Sequence, residues 1–311
     1  MSASALKDFL ESVLPLAAAA VTSICVGAAI VATRFVIDQS GPMSLALLRY
    51  LIGFCCLIPF VLSSVHVRFD RRDLLPIALL GIMQFGILIA LLNYAVEFIP
   101  SARAALIFAT MPLLTMIFAS ALGRERLTAY KTLGILLSIV GLAFSLNGKA
   151  FEHDLQAQQW TGDVAALGSA LSGAVCAVLY RPYLRKYPTI QLSACAMLAS
   201  VGFLALFATR EGFFTRFPHF TTEGWLAVLF IGVSSGAGYY LWLWALNHTT
   251  PTRVSVFLAL SPITAAVLGT ALLAERISVT SMVGFACVAI ALCLASSREP
   301  NAPPLSLDRP K

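Results

Sequence analysis

Charged residues punctuate this chain instead of being spread through it. Ten stretches of 16 to 24 residues contain no Asp, Glu, Lys, Arg or His, and short polar connectors separate them. A helix crosses the roughly 30 Å hydrocarbon layer of a bilayer with about 20 residues, so each stretch predicts one crossing. The spans fall near 13–36, 44–62, 74–96, 101–122, 129–147, 163–182, 189–208, 224–246, 252–273 and 278–296. In lipid every backbone polar group must be satisfied within the spanning structure, which a helix does by itself. The pattern therefore predicts an all-α integral membrane protein with ten transmembrane helices.

Composition agrees. The chain of 311 residues is 59% hydrophobic and 12% charged, with a mean hydropathy of +0.86, whereas soluble domains carry about a quarter charged residues. The formal charge of +6 does not point to nucleic acid, because the basic residues stand singly or in threes at span ends. They report topology instead. With both termini inside, the inner segments hold fourteen Lys and Arg and the outer side seven, so both termini are expected in the cytoplasm. The first span is too long for a signal-peptide core and is expected to stay as an anchor. All seven cysteines lie in apolar spans without ligand-like spacing to a histidine, and the four histidines lie in connectors or at span ends, so neither a metal nor a cofactor is expected.

Sliding the chain against itself by 150 residues aligns the fourth and fifth spans with the ninth and tenth without a gap. Arg103 falls on Arg253, Pro112 on Pro262, Glu125 on Glu275, Arg126 on Arg276 and Gly134 on Gly284. The chain thus reads as two copies of one unit of five crossings. Because five is odd, the second copy enters the membrane from the opposite face, and such inverted repeats are the signature of many secondary transporters. The expected organisation is a first repeat over 1–146, a periplasmic linker over 147–162, a second repeat over 163–297 and a disordered, proline-containing cytoplasmic tail over 298–311.

The residues that repeat also carry a family resemblance. Pro112, Arg-Glu-Arg-Leu-Thr from Arg124 to Thr128 and Gly134, matched by Pro262, Glu-Arg-Ile-Ser from Glu275 to Ser278 and Gly284, resemble the drug/metabolite transporter superfamily. Within it, the ten-helix group with paired EamA repeats is the nearest likeness, and size and aromatic content resemble its YddG-type amino-acid exporters. The resemblance implies export of small hydrophobic or aromatic amino acids and related metabolites by alternating access. It also implies that the first, third, fourth, sixth, eighth and ninth helices surround the path, with the fifth and tenth behind. Export of lipophilic cations or drugs, and a passive pore, are the alternatives. The expected partners are a small-molecule substrate and membrane lipid, with no nucleic acid, in a monomer or homodimer.

The richest polar and aromatic content lies on the third and eighth spans. Gln84 corresponds to Ser234, and Tyr94 to Trp244. Ser235, Tyr239 and Trp242 share one helical face of the eighth span, and Tyr240 and Trp244 the next. Thr22 and Ser23 on the first span, with Ser169 and Ser172 on the sixth, add hydroxyls to the candidate cavity. The mid-span prolines Pro112 and Pro262 predict kinks that either fit a bent helix to its neighbours or act as hinges. Glu125 and Glu275 are expected to start helices and pair charges at the interface. Arg49, inside the second span, is expected to snorkel outward as a structural or gating residue, with contact to a substrate carboxylate as the alternative. Gly232-Val233-Ser234-Ser235-Gly236 matches the G-x-S-x-G pattern of a serine hydrolase. With no histidine in any span, the same glycines read as a close-packing surface, and no catalysis is expected.

Overall fold

The structure, a computed structural model, describes residues 3–64, 67–123, 129–147, 156–216, 218–248, 257–275 and 279–296. Everything regular among them is helical. The elements are α1 (Ala3–Val36), α2 (Pro42–Leu62), α3 (Arg71–Gly81), a π-helical segment (Ile82–Ile87), α4 (Leu88–Phe98), α5 (Ser101–Phe108), α6 (Met111–Ala121), α7 (Ala129–Asn147), α8 (Gln156–Leu179), α9 (Arg181–Lys186), α10 (Thr189–Ala208) and α11 (Thr222–His248). A 3-10 turn (Phe257–Ala259) leads into α12 (Leu260–Leu273), and α13 (Val279–Ser296) follows. Seven helical segments among the described residues are long and apolar enough to cross a bilayer, and three shorter apolar helices accompany them. The connector around Glu125, the segment 148–155 and the tail from 297 onward lie outside the described residues.

Consecutive crossings run antiparallel, so their ends fall on two faces: a proximal one, where α1 begins, and a distal one, where α1 ends. Packing closes eight crossings into a ring. α1 lies against α11, α11 against α2, α2 against α10, α10 against α3, α4 against α8, α8 against α5 and α6, α5 against α12, and α12 against α1. Exchanging the two halves of the chain maps this order of neighbours onto itself. α7 and α13, the fifth crossing and its counterpart, pack on each other, with Leu133, Leu136, Ile139, Met282 and Ile290 exposed on their outer sides. A Cβ at Gly141 of α7 would stand 2.6 Å from Cys287 Cβ and 3.1 Å from the Gly284 carbonyl of α13, which fixes how closely the two meet.

Two of the predicted continuous helices are interrupted. The third crossing passes through the π-helical segment that contains Gln84. The fourth is broken at Ala109–Thr110. Pro112 therefore does not kink a helix at mid-length; it sits in the first turn of α6. There its missing N–H is one that a helix start leaves unpaired anyway. Pro262 likewise falls in the first turn of α12. At the broken sites α1 and α8 come close to their neighbours. Gly27 of α1 sits so near the Ser261 carbonyl that a Cβ would lie 2.3 Å from it, and a Cβ at Gly173 of α8 would lie 2.4 Å from Met111 Sδ. Ser261 and Met111 each precede the proline, and they are 150 residues apart; Gly27 and Gly173 are 146 apart.

Candidate functional site

The centre of the ring is aromatic. Phe85, in the π-helical segment, meets Tyr50 of α2 at a centroid distance of 5.3 Å and Tyr239 of α11 at 5.3 Å, edge to face in both cases. The third crossing and α11 are not neighbours in the ring, so this three-ring contact reaches across its interior. Ser193 of α10 donates to its own helix at the Thr189 carbonyl, 2.6 Å away, and the buried Tyr180 joins the same hydrophobic cluster. Its hydroxyl, like those of Ser23, Ser169, Ser200 and Ser261, finds no partner among the described residues. A buried hydroxyl without a partner is an unmet demand of about 1 to 3 kcal/mol. Gln84 is adjacent to Phe85 and half-buried, and its side chain makes no hydrogen bond to the described residues.

Arg49 stands at the edge of this cluster. It is 8% exposed, and its Nε donates to Ser235 Oγ at 2.6 Å, while the guanidinium carbon lies 5.9 Å from the centre of the Tyr50 ring. The expected snorkelling does not occur. A close seam between α2 and α11, where a Cβ at Gly236 would lie 2.7 Å from the Gly53 carbonyl and one at Gly232 2.5 Å from Ile52, brings Ser235 within reach sideways. Ser235 in turn donates to the Ile231 carbonyl at 2.7 Å. The glycines of the G-x-S-x-G stretch are thus packing residues, and its second serine holds an arginine.

A second arginine, largely but not fully buried, makes the contrast. Arg103 of α5 grips Asp163 of α8 in a fork, Nε to Oδ1 at 2.8 Å and Nη2 to Oδ2 at 2.5 Å, with side-chain exposures of 12% and 6%. Arg49 has no acidic partner among the described residues.

Other predicted site residues distribute as follows. Thr22 donates to the Ala18 carbonyl at 2.8 Å and the Gly238 carbonyl at 3.3 Å, tying α1 to α11. Ser23 and Ser169 are fully buried, and Ser172 is half-buried. Tyr240 stacks on Phe60 at 5.2 Å, away from the central rings. Trp242 and Trp244 pack near Ala18, Ala19 and Phe257, and Tyr94, 39% exposed, sits edge-on to Phe98. The central rings are therefore joined by Tyr239 alone of the predicted aromatics. Sequence reasoning does not reach Tyr50 or Phe85; the signal available is adjacency, since each follows a residue that the sequence singles out.

Both faces are tied by polar contacts between the halves. On the distal face Glu275 accepts from Ser101 N at 3.0 Å and Ser101 Oγ at 2.7 Å, capping α5 from the far end of α12. Glu211 does the same for α2, accepting from Met43 N at 3.0 Å and from Ser44 N and Oγ at 2.7 Å each. Glu275 thus starts a helix in the other half. Glu125 lies outside the described residues. Beside Glu275 a distal cavity of about 410 Å³ opens between Arg34, Asp38, Phe98 and Gln159. On the proximal face Lys186 pairs with Asp70 and, at 2.7 Å, with Asp73, Tyr187 donates to Asp73 at 2.7 Å, and Gln191 donates to Ser64 at 3.0 Å.

The sequence pattern of the EamA-like transporter family matches residues 14–147 and again 160–297. An uncharacterized transporter of Clostridium kluyveri is 24% identical over 80% of this chain and 81% of its own length. The Bacillus subtilis uncharacterized transporter YoaV is 24% identical over 82% and 87%. The Escherichia coli uncharacterized inner membrane transporter YedA is 24% identical over 85% and 84%. A solved crystal structure superposes with a TM-score of 0.64 over 89% of this chain and 97% of its own, at 22% identity.

Proposed function

Because the chain belongs to the EamA-like transporter family, we propose that it exports small hydrophobic or aromatic amino acids through the centre of the eight-helix ring by alternating access. The repeats, over 1–146 and 163–297, rock against one another, with both termini in the cytoplasm. One observation carries the reading: Tyr50, Phe85 and Tyr239 meet across the ring interior, in the same cluster as Tyr180, whose hydroxyl has no partner among the described residues. A pocket that binds a small solute is mostly apolar with a few placed polar groups, and this centre has that composition. The π-helical segment supports it, since such bulges in helices frequently mark functional sites.

The test is counterflow. Purified protein in liposomes preloaded with unlabelled phenylalanine is expected to accumulate labelled phenylalanine and leucine, saturably, and to exclude lysine. A linear, unsaturable flux of all solutes would make the protein a pore. Uptake of tetraphenylphosphonium in place of amino acids would favour the lipophilic-cation reading.

A further inference from the structure

We propose that Arg49 is the residue that recognises the substrate's carboxylate, so that the transported solute itself supplies the partner this buried cation lacks. The inference rests on the reading of the ring centre as the solute path and narrows it to carboxylate-bearing cargo. It begins from a comparison within the molecule. Arg103, largely buried at the distal end of the ring, has an aspartate in a two-pronged embrace. Arg49, buried deeper in the seam between α2 and α11, has among the described residues a single bond to a serine hydroxyl and the face of a tyrosine. Removing a guanidinium from water without an opposing charge is unfavourable by several kcal/mol. An arginine kept there is explained by a partner that arrives from outside.

The geometry fits a carboxylate. Ser235 engages Nε, which leaves both terminal nitrogens of the guanidinium for two parallel bonds, the arrangement in which arginine binds carboxylates best. Ser235 and Tyr239 lie one helical turn apart on the same face of α11, and Tyr239 reaches Phe85. A solute whose carboxylate docks on Arg49 therefore has the Tyr50–Phe85–Tyr239 rings beside it for an apolar side chain. Its ammonium group, when it has one, finds ring faces there as well. A cargo that is cationic and has no carboxylate would instead set a second positive charge beside an unpartnered one.

The experiment compares phenylalanine with phenethylamine, which keeps the ring and the amine but lacks the carboxylate, as competitors of labelled phenylalanine counterflow. Wild-type protein is expected to prefer phenylalanine by about tenfold to a hundredfold, the range of one or two charge-assisted hydrogen bonds. In Arg49→Gln the preference is expected to collapse toward unity, and in Arg49→Lys to be partly kept, with both variants checked for folding by thermal melting in detergent. Folded Arg49→Gln protein that retains the full preference overturns the proposal. Should the variants not fold, the wild type still decides it: equal competition by phenethylamine and phenylalanine overturns the role of Arg49 while leaving transport intact. Wild-type protein that moves no amino acid overturns the transport reading itself.

Discussion

At the scale of single residues, the two arginines set opposite expectations for mutation. Arg103 and Asp163 satisfy each other, so removing one partner leaves a charge buried and uncompensated, which destabilises by roughly 3 to 5 kcal/mol. Asp163→Asn is therefore expected to lower the melting temperature of the purified protein markedly. The double variant Arg103→Leu/Asp163→Leu is expected to recover most of that loss, because apolar residues of similar volume replace a buried pair at little expense. A double variant as unstable as the single would mean that the pair positions α5 against α8 by something other than charge. Arg49 offers no such rescue by a protein partner, since it has no acidic partner among the described residues. The sequence marks Arg49 as a charge inside an apolar span, which is legible from one residue. The direction of its side chain is not, because the deciding contact, Ser235, lies 186 residues away and depends on how closely Gly53 and Gly236 let two helices approach.

At the scale of elements, the fourth crossing is two half-helices, and the proline that sequence places in its middle stands at the start of the second. Pro112 cannot donate to the Phe108 carbonyl and keeps α5 from running on into α6. Alanine there restores a donor and favours a continuous helix. Pro112→Ala is accordingly expected to leave thermal stability unchanged or slightly raised while slowing counterflow, and Pro262→Ala to act in the same direction at the equivalent place. A bias of about 1.4 kcal/mol toward one arrangement changes a two-state ratio about tenfold, so the effect falls within reach of a flux assay. Folded variants with wild-type rates would remove the hinge role from both prolines. This element also shows where sequence reading stops. Ten apolar windows are enough to count crossings, because length against bilayer thickness is a one-dimensional test. The break at Ala109–Thr110 and the π-helical turn through Gln84 leave no mark on hydropathy: the first is marked in the sequence only by Pro112, and the second lies where Gly86 comes close to Phe203 and Ser200 of α10.

At the scale of the whole molecule, the exchange of halves that sequence reveals at an offset of 150 reappears as an order of packing: each contact around the ring has its counterpart under the exchange. On the proposed alternating-access cycle, exchanging the packing of the halves relates two arrangements, one open to each face. What separates the loaded carrier from the empty one is the central site. Among the described residues no carboxylate lies at mid-depth to bind a coupling proton or sodium ion; Asp163 is near the distal face and already paired. On the proposed cycle Arg49, by contrast, stays buried while the carrier is closed to both faces. When the carrier is empty the guanidinium passes through that closed state with only Ser235 and an aromatic face for company, and when it is loaded the substrate's carboxylate accompanies it. The empty return is therefore the slow step of that cycle. Tracer exchange of phenylalanine across liposome membranes is expected to exceed net efflux from the same liposomes by tenfold or more, taking a difference of about 1.4 kcal/mol as the least that an unpartnered buried charge imposes. The ratio is expected to persist when the proton gradient is collapsed. Equal rates of exchange and net efflux would show that the empty carrier crosses as easily as the full one, and a flux that vanishes without a proton gradient would place the driving force on a group other than the substrate.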